Sequence, residues 1–547
     1  MSSMFTGKLW RAAITAIVIV SAPIGACFAA DDRQSLEELR NTVIGLLQAL
    51  VDQGVISKDK AAQMVKSAQD KAAASAAAAA ATAKSEEGAV RVPYVPQIVQ
   101  DEIARQVAEQ VKPAVVAGVV QEAKAEKWGV PGALADWLTR TRVSGMVTLR
   151  GEDILYSKDN AANTYLNYYA INQAGGILKA GQNAFLDTTI DRARLRARAR
   201  FAVDSDITDS ISAGMRIATG NTSDLVSETQ TLDGSAPFQF GLDELFIRLD
   251  ERNAQRFPWL SAVGGRFLNP YGTPTDLIFH KDLTFQGVAV TGRYGLGDGS
   301  ADQSHLFFTA GAHPIQEVQL STQDKWLLAA QLGANLRWGE GQHLRFAGAF
   351  FDYFNVTGRL NPPGTTIYNY TAPQFLRGGN TYFDISNSSP PDITTNLFAL
   401  AAKYRMANLS ASYELPVGSH VFGLTLDAVR NLAFDSAAVS NNVGHYVAAR
   451  TKGYQVEASF GTPTVLDLNS FRALIGYRYL QRDAVIDAYT DSDFHYFGGT
   501  DATGFYVVGE YGVAHNVWLR LRYLSSNAID GPKFGVDVVQ LDMNTRF

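Results

Sequence analysis

The chain has 547 residues, a formal net charge of -6 at neutral pH and a mean hydropathy of -0.06. That length allows one large barrel with a smaller accessory region. The single cysteine, Cys27, excludes a disulfide framework, and with no basic tail, nucleic acid is not among the expected partners.

The first element is a targeting signal. Lys8 and Arg11 precede the apolar run from Ala12 to Gly25, and the small residues Ala26, Ala29 and Ala30 follow. This is the pattern of a cleaved secretory signal over residues 1–30. Ile24-Gly25-Ala26-Cys27 also resembles a lipobox, in which Cys27 would be kept as a lipidated first residue, so both readings stay open. No later stretch supplies the roughly 20 apolar residues of a membrane-spanning helix. An exported chain of this kind spans a membrane, if it spans one, as strands.

Residues 31–71 read as helix. Leu36, Leu39, Val43, Leu46 and Leu50 recur at spacings of three and four, which fits either a helical hairpin packed on itself or a short trimeric coiled coil. Gly54 interrupts the pattern, and Ser57 is placed to cap a second stretch. Residues 72–97 form an alanine-rich linker broken by Pro93 and Pro96. Residues 98–140 read as a further helical segment leading to the first strand, with Gly129 and Pro131 ending the helix and Trp137 just before the strand pattern.

From residue 141 to residue 547 the period changes from helical to two. Val143, Val147 and Leu149 interleave with Arg142, Ser144, Thr148 and Arg150. Leu328, Ala330, Leu332, Ala334, Leu336 and Trp338 share one face, opposite Gln331, Asn335 and Arg337. The clearest run is Arg192, Arg194, Arg196, Arg198 and Arg200, with Ala193, Leu195, Ala197 and Ala199 between them. A strand places all five arginines on one face and the apolar set on the other. Five cations do not line a dry core. The two faces are satisfied together by the wall of a water-filled barrel, arginines inward and apolar residues toward lipid. A solvated face on a soluble sheet is the plainer alternative for this run alone.

Strand-length segments of this kind recur with short turns near Asp204-Ser205-Asp206, Gly339-Glu340-Gly341, Pro416-Val417-Gly418 and Ala514-His515-Asn516. Longer polar links fall at 153–187, 221–237, 313–324, 356–393, 431–449 and 481–501. This asymmetry predicts an all-β transmembrane barrel with short periplasmic turns and longer outer loops. Strict alternation makes 395–414 one long strand and gives about 16 antiparallel strands, within a range of 16–18. An α-helical periplasmic segment would precede them. Val539, Leu541, Met543, Thr545 and Phe547 form one face of the last strand, and the chain ends on that phenylalanine. An aromatic last residue on an alternating strand resembles the signal read by barrel-assembly machinery.

Several stretches together resemble the putative porin family of Gram-negative outer membranes. They are LLQALVDQGVISK at 46–58, RVPYVPQIVQDE at 91–102, KWGVPGALADW at 127–137, the arginine strand, and GGRFLNPYGTPTDLIFHKDLTFQG at 264–287. The resemblance implies an outer-membrane location and diffusion of small solutes, with a homotrimer as the assembly. It identifies no solute.

Function in such a pore resides in fixed charge and width at the narrowest section. The arginine row, with Arg216, Arg150, Arg520 and Arg522, is the candidate lining, and a positive lining favours anions. The link at 269–283, with Asp276 and Asp282, is either an inward constriction loop or a surface turn capped by Asp276. Pro270 and Pro274 stiffen it in both cases. The eight histidines have no metal-ligand spacing, Gly295-Leu296-Gly297-Asp298-Gly299 reads as a hairpin turn, and no nucleophile elbow is present. A catalyst, cofactor or metal site is therefore not expected. The expected function is passive diffusion of small hydrophilic solutes, with outer-membrane lipid as surroundings. The alternative is a structural anchor, with the N-terminal helices tethering the barrel to peptidoglycan.

Overall fold

The computed structural model describes residues 139–547, apart from 221–223, 227–228, 235–236, 320, 389 and 496–497. The signal, helical and linker readings for residues 1–138, including Cys27, lie outside the described residues. The strand alternation closes into one barrel of sixteen antiparallel strands: β1 (Thr141–Tyr156), β2 (Arg192–Asp206), β3 (Ile211–Thr219), β4 (Phe240–Arg252), β5 (Pro258–Leu268), β6 (Thr284–Gly295), β7 (His305–Gln316), β8 (Lys325–Trp338), β9 (Gln342–Phe354), β10 (Arg405–Val417), β11 (His420–Asn431), β12 (Lys452–Gly461), β13 (Phe471–Leu480), β14 (Ala502–Ala514), β15 (Val517–Ala528) and β16 (Gly535–Arg546). Each strand pairs with its chain neighbours, and β16 returns to pair with β1, so no edge is left open.

The seam is sealed at the chain's end. The Phe547 amide donates to the Gly145 carbonyl at 3.0 Å, and the Gly145 amide donates to the Phe547 carbonyl at 2.9 Å. The phenyl ring lies over Gly145 where any side chain would collide with it.

The connections differ at the two ends. At one end the turns are short, as in Gly418-Ser419, where Gly418 sits at φ +61°, and His515-Asn516, where Asn516 sits at φ +60°. A backbone at positive φ favours glycine or asparagine. At the other end the links are long. The β1–β2 link carries two short helices, α1 (Tyr168–Ala174) and α2 (Ile177–Ala180), and the β11–β12 link carries α3 (Ser436–Val443). Asp435 caps α3 through the amides of Ala437 and Ala438, and Gly444 ends it at φ +84°.

One expectation fails. The stretch 395–414 is not one strand. Phe398–Leu400 pairs with Tyr382–Asp384 in a separate two-stranded ribbon, and β10 begins only at Arg405. The cause is the continuous apolar run from Leu397 to Ala402. A wall strand needs one wet and one lipid face, whereas Ala401, Ala402 and Tyr404 are buried on all sides.

The outer wall carries exposed Leu195, Phe201, Leu332, Leu409 and Leu521 in the phase opposite to the buried polar groups. The interior is divided. Against β5, β6 and β8–β11 lies an apolar core in which Phe267, Phe285 and Phe351 of the wall meet Tyr271, Leu277, Ile278 and Phe279. Tyr382, Ile385 and Leu400 of the 355–404 link join the same cluster. The interior along β12–β16 and β1–β4 carries the charged groups, except at the long-link end, where Ile154, Leu524, Val536 and Val538 of the wall pack with Phe494 and Phe534 in a second, smaller apolar cluster.

Candidate functional site

The charged side is built by register. On β1, Glu152 lies directly across from Arg194 on β2 and from Gln540 on β16. Its carboxylate accepts from Arg194 at 2.5 Å, from Arg196 at 3.2 Å and from the Gln540 amide at 2.9 Å. Arg150, one step along the same face, makes a two-pronged pair with Asp542 at 2.7 and 3.0 Å. On β3, Arg216 reaches Asp243 at 2.6 Å and also contacts Glu244. Across β14 and β15, Arg520 faces Glu510 at 3.4 Å.

Two links fold into the lumen and complete the pairing. The first is 269–283. Its apolar stretch Leu277-Ile278-Phe279 is buried, and the Phe279 ring packs edge-on to Phe285 and Phe351, both at 5.0 Å. Thr275 donates to Asp427 on β11 at 2.7 Å. The far end reaches β2, where Asp282 accepts from Arg198 at 2.8 Å and from Arg200 at 3.0 Å. Burial alone would raise the Asp282 carboxyl, but Arg200 and Arg198 hold it well below the usual carboxylate range.

The second is 481–501. Asp493 bridges Arg150 at 3.2 Å and Arg522 at 2.6 Å, and those two guanidinium groups outweigh its burial to keep it ionised. Asp491 pairs with Arg478 at 3.4 Å. The two links lock to each other: the His280 amide donates to the Tyr489 carbonyl at 2.7 Å, and Thr490 and Arg478 both donate to the Asp276 carbonyl.

Between the links and the wall is a cavity of about 590 Å³. Its charged lining is four cations, Lys281, Arg472, Arg520 and Arg522, and four carboxylates, Asp276, Glu457, Asp491 and Glu510. A smaller space of about 120 Å³ adjoins it and adds Arg150, Arg198, Asp282, Asp493 and Asp542. Such a lining suits polar contents, and its facing opposite charges set up a transverse field.

The structure thus brings Arg150, Arg194, Arg196, Arg198, Arg200, Arg216, Arg520 and Arg522 to the inner face, with Asp282 and Asp276 on the inward link. Of these, Arg520 and Arg522 line the cavity and Arg150 and Arg198 the adjoining space, whereas Arg194, Arg196, Arg200 and Arg216 line neither, and Arg192, at the long-link end of β2, is exposed and stands apart from both. What the sequence reading lacked is the acidic set: Glu152, Asp243, Glu244, Asp491, Asp493, Glu510 and Asp542. A signal existed, because Glu152 shares the phase of Arg150, and Asp542 shares that of Gln540. Among the described residues no cluster of histidine, cysteine and carboxylate groups is suited to a metal. His313 is held by Tyr271 at 2.7 Å and by the Gln286 carbonyl at 2.8 Å.

A family model described as "Putative porin" matches residues 40–547. No curated protein matches the chain. Among solved structures the chain is similar to OmpT of Vibrio cholerae in its trimer form, at 11% identity and a TM-score of 0.39, covering 74% of this chain and 99% of that one. It is similar to OprB of Pseudomonas putida at high pH, at 10% identity and a TM-score of 0.42, covering 77% and 97%. It is also similar to the outer membrane channel DcaP of Acinetobacter baumannii, at 10% identity and a TM-score of 0.38, covering 75% and 98%.

Proposed function

The chain belongs to the porin family whose model spans residues 40–547, and from that premise we propose that it is a passive outer-membrane channel for small hydrophilic solutes. The observation that carries this reading is the water-accessible cavity of about 590 Å³ inside a closed barrel, bounded by two inward links and lined by equal numbers of cations and carboxylates. Solutes pass where the interior is charged, because the apolar core fills the other side.

The arginine row alone would favour anions. Four of its five members, Arg194, Arg196, Arg198 and Arg200, are paired with Glu152, Asp243 and Asp282, so the preference for anions is slight and the main electrostatic effect is to orient dipolar solutes. The lining residues in this reading are Arg150, Arg194, Arg196, Arg198, Arg200, Arg216, Arg520 and Arg522, with Asp276 and Asp282 forming the constriction. Phe547, exposed on the outer wall and closing the seam, is the group that assembly machinery reads, and the working assembly is a homotrimer.

Liposomes loaded with the purified protein test the reading through swelling in isotonic small sugars and amino acids. Swelling rates should fall steadily with solute size and differ little between stereoisomers. Liposomes that do not swell in any of these solutes would reject passive diffusion and leave the anchor alternative.

A further inference from the structure

On the outer wall, at the long-link end, cations face the surroundings without the pairing found inside. Arg430 on β11 and Lys452 on β12 are directly opposite in the register, and both are exposed. Like charges opposite each other on one sheet face repel. Arg405, one step diagonally away on β10, is exposed and bound to Asp352 at 3.0 Å, and Lys403 is exposed just before it. Asp352 is the acidic group of this row, so the patch keeps an excess of positive charge. Among the described residues neither Arg430 nor Lys452 has a carboxylate partner.

Directly below this pair on the same face begins an apolar groove of about 700 Å³. Ala428 follows Arg430 and Tyr454 follows Lys452 in the outward phase. The register continues the row from Tyr454 through Ala428 and Leu409 to Gly348 and Leu332. Gly348 makes the floor between Leu332 and Leu409, and Phe346 and Leu426 form the lower edge. The unpaired cations and the groove are separate features of one surface, and they are contiguous.

We propose that this face binds a phosphate-bearing lipid of the surrounding bilayer, the phosphate on Arg430 and Lys452 and an acyl chain in the groove over Gly348. An anion shared by the two cations removes their mutual repulsion, and the charge complementarity selects a phosphorylated headgroup over a neutral one. The site is distinct from the channel and is independent of the diffusion reading.

The test is native mass spectrometry of the intact detergent-purified protein with added bisphosphorylated lipid A, alongside its dephosphorylated form and inorganic phosphate. The wild type should retain the bisphosphorylated lipid. Arg430→Gln with Lys452→Gln should cut retention by about tenfold or more, on the scale expected for losing two interfacial cations. Gly348→Phe, which fills the groove and leaves the charges in place, should also lower it, while Arg546→Gln at the other end should not. Equal retention of the dephosphorylated lipid would overturn the headgroup assignment. Retention unchanged in both the charge and groove variants would overturn the site, as would a change of oligomeric state in those variants with no change in lipid, which would make this face a contact between copies. Inorganic phosphate bound as well as the lipid would overturn the acyl-chain assignment.

Discussion

Glu152 decides how the arginines of β2 act. It is 4% exposed and accepts from both Arg194 and Arg196, so neither guanidinium projects an isolated charge. Removing one partner from such a buried pair leaves the other charge uncompensated. Replacing Arg194, Arg196 and Arg198 together by glutamine should therefore do more than delete three cations. It frees Glu152 and weakens the hold on Asp282, and the chloride-to-potassium permeability ratio in bilayers should fall below one. An unchanged ratio would remove these residues from the conducting path. The alternation of the arginines was legible in the sequence because period two is a local property. Their partners were not, since Glu152 lies 42 and 44 positions from Arg194 and Arg196, and Asp282 lies 84 and 82 positions from Arg198 and Arg200, and nothing local states that these segments meet.

A second residue carries a pH dependence. Asp501, at the end of the 481–501 link, is pushed up to about 7 by burial, with nearby Asp530 adding to the rise and Arg482 opposing it. An unfolded aspartate titrates near 3.9, so the folded protein holds this proton more tightly. The stabilisation is present below about pH 4 and is lost as pH rises to about 7. The thermal unfolding midpoint should fall across that window, and Asp501→Asn should flatten the fall. A variant with the wild-type slope would assign the dependence elsewhere.

At the scale of elements, the two inward links set the width of the proposed channel. β1 runs on to Tyr156 and β7 to Gln316, past the expected link starts at 153 and 313, and β10 begins only at Arg405, whereas turn positions and the limits of 269–283 followed from alternation and its interruption. The inward fold of that link did not follow from its length, and the sequence reading left it open against a surface turn. The overlooked signal was Leu277-Ile278-Phe279, three large apolar residues in a link too costly to leave in water. Phe279→Ala removes a ring packed between Phe285 and Phe351 and should destabilise the link by about 3–5 kcal/mol. Because the ion pairs of Asp282 remain, the link should loosen rather than leave. Single-channel steps should become larger and noisier while the barrel's resistance to heat changes little. Steps of wild-type size and noise would mean that the link does not bound the conducting path.

For the whole molecule, one consequence of closure dominates. Sixteen strands without an open edge make the interior the route of the proposed channel, with the apolar core filling the side of β5, β6 and β8–β11 and a smaller apolar cluster around Phe494 and Phe534 narrowing the long-link end. Four cations and four carboxylates around the cavity make a path that is charged yet nearly neutral in sum. The continuous run Leu397–Ala402 shows why the core was less legible than the wall: a plug segment has no periodicity to read, only burial that depends on segments far along the chain. The most direct test of the central claim is the current through a planar bilayer holding the purified protein under a potassium chloride gradient. The account predicts discrete conductance steps and a reversal potential close to zero, displaced slightly toward that of chloride. A silent bilayer, or a reversal potential near the limiting value for either ion, would contradict it.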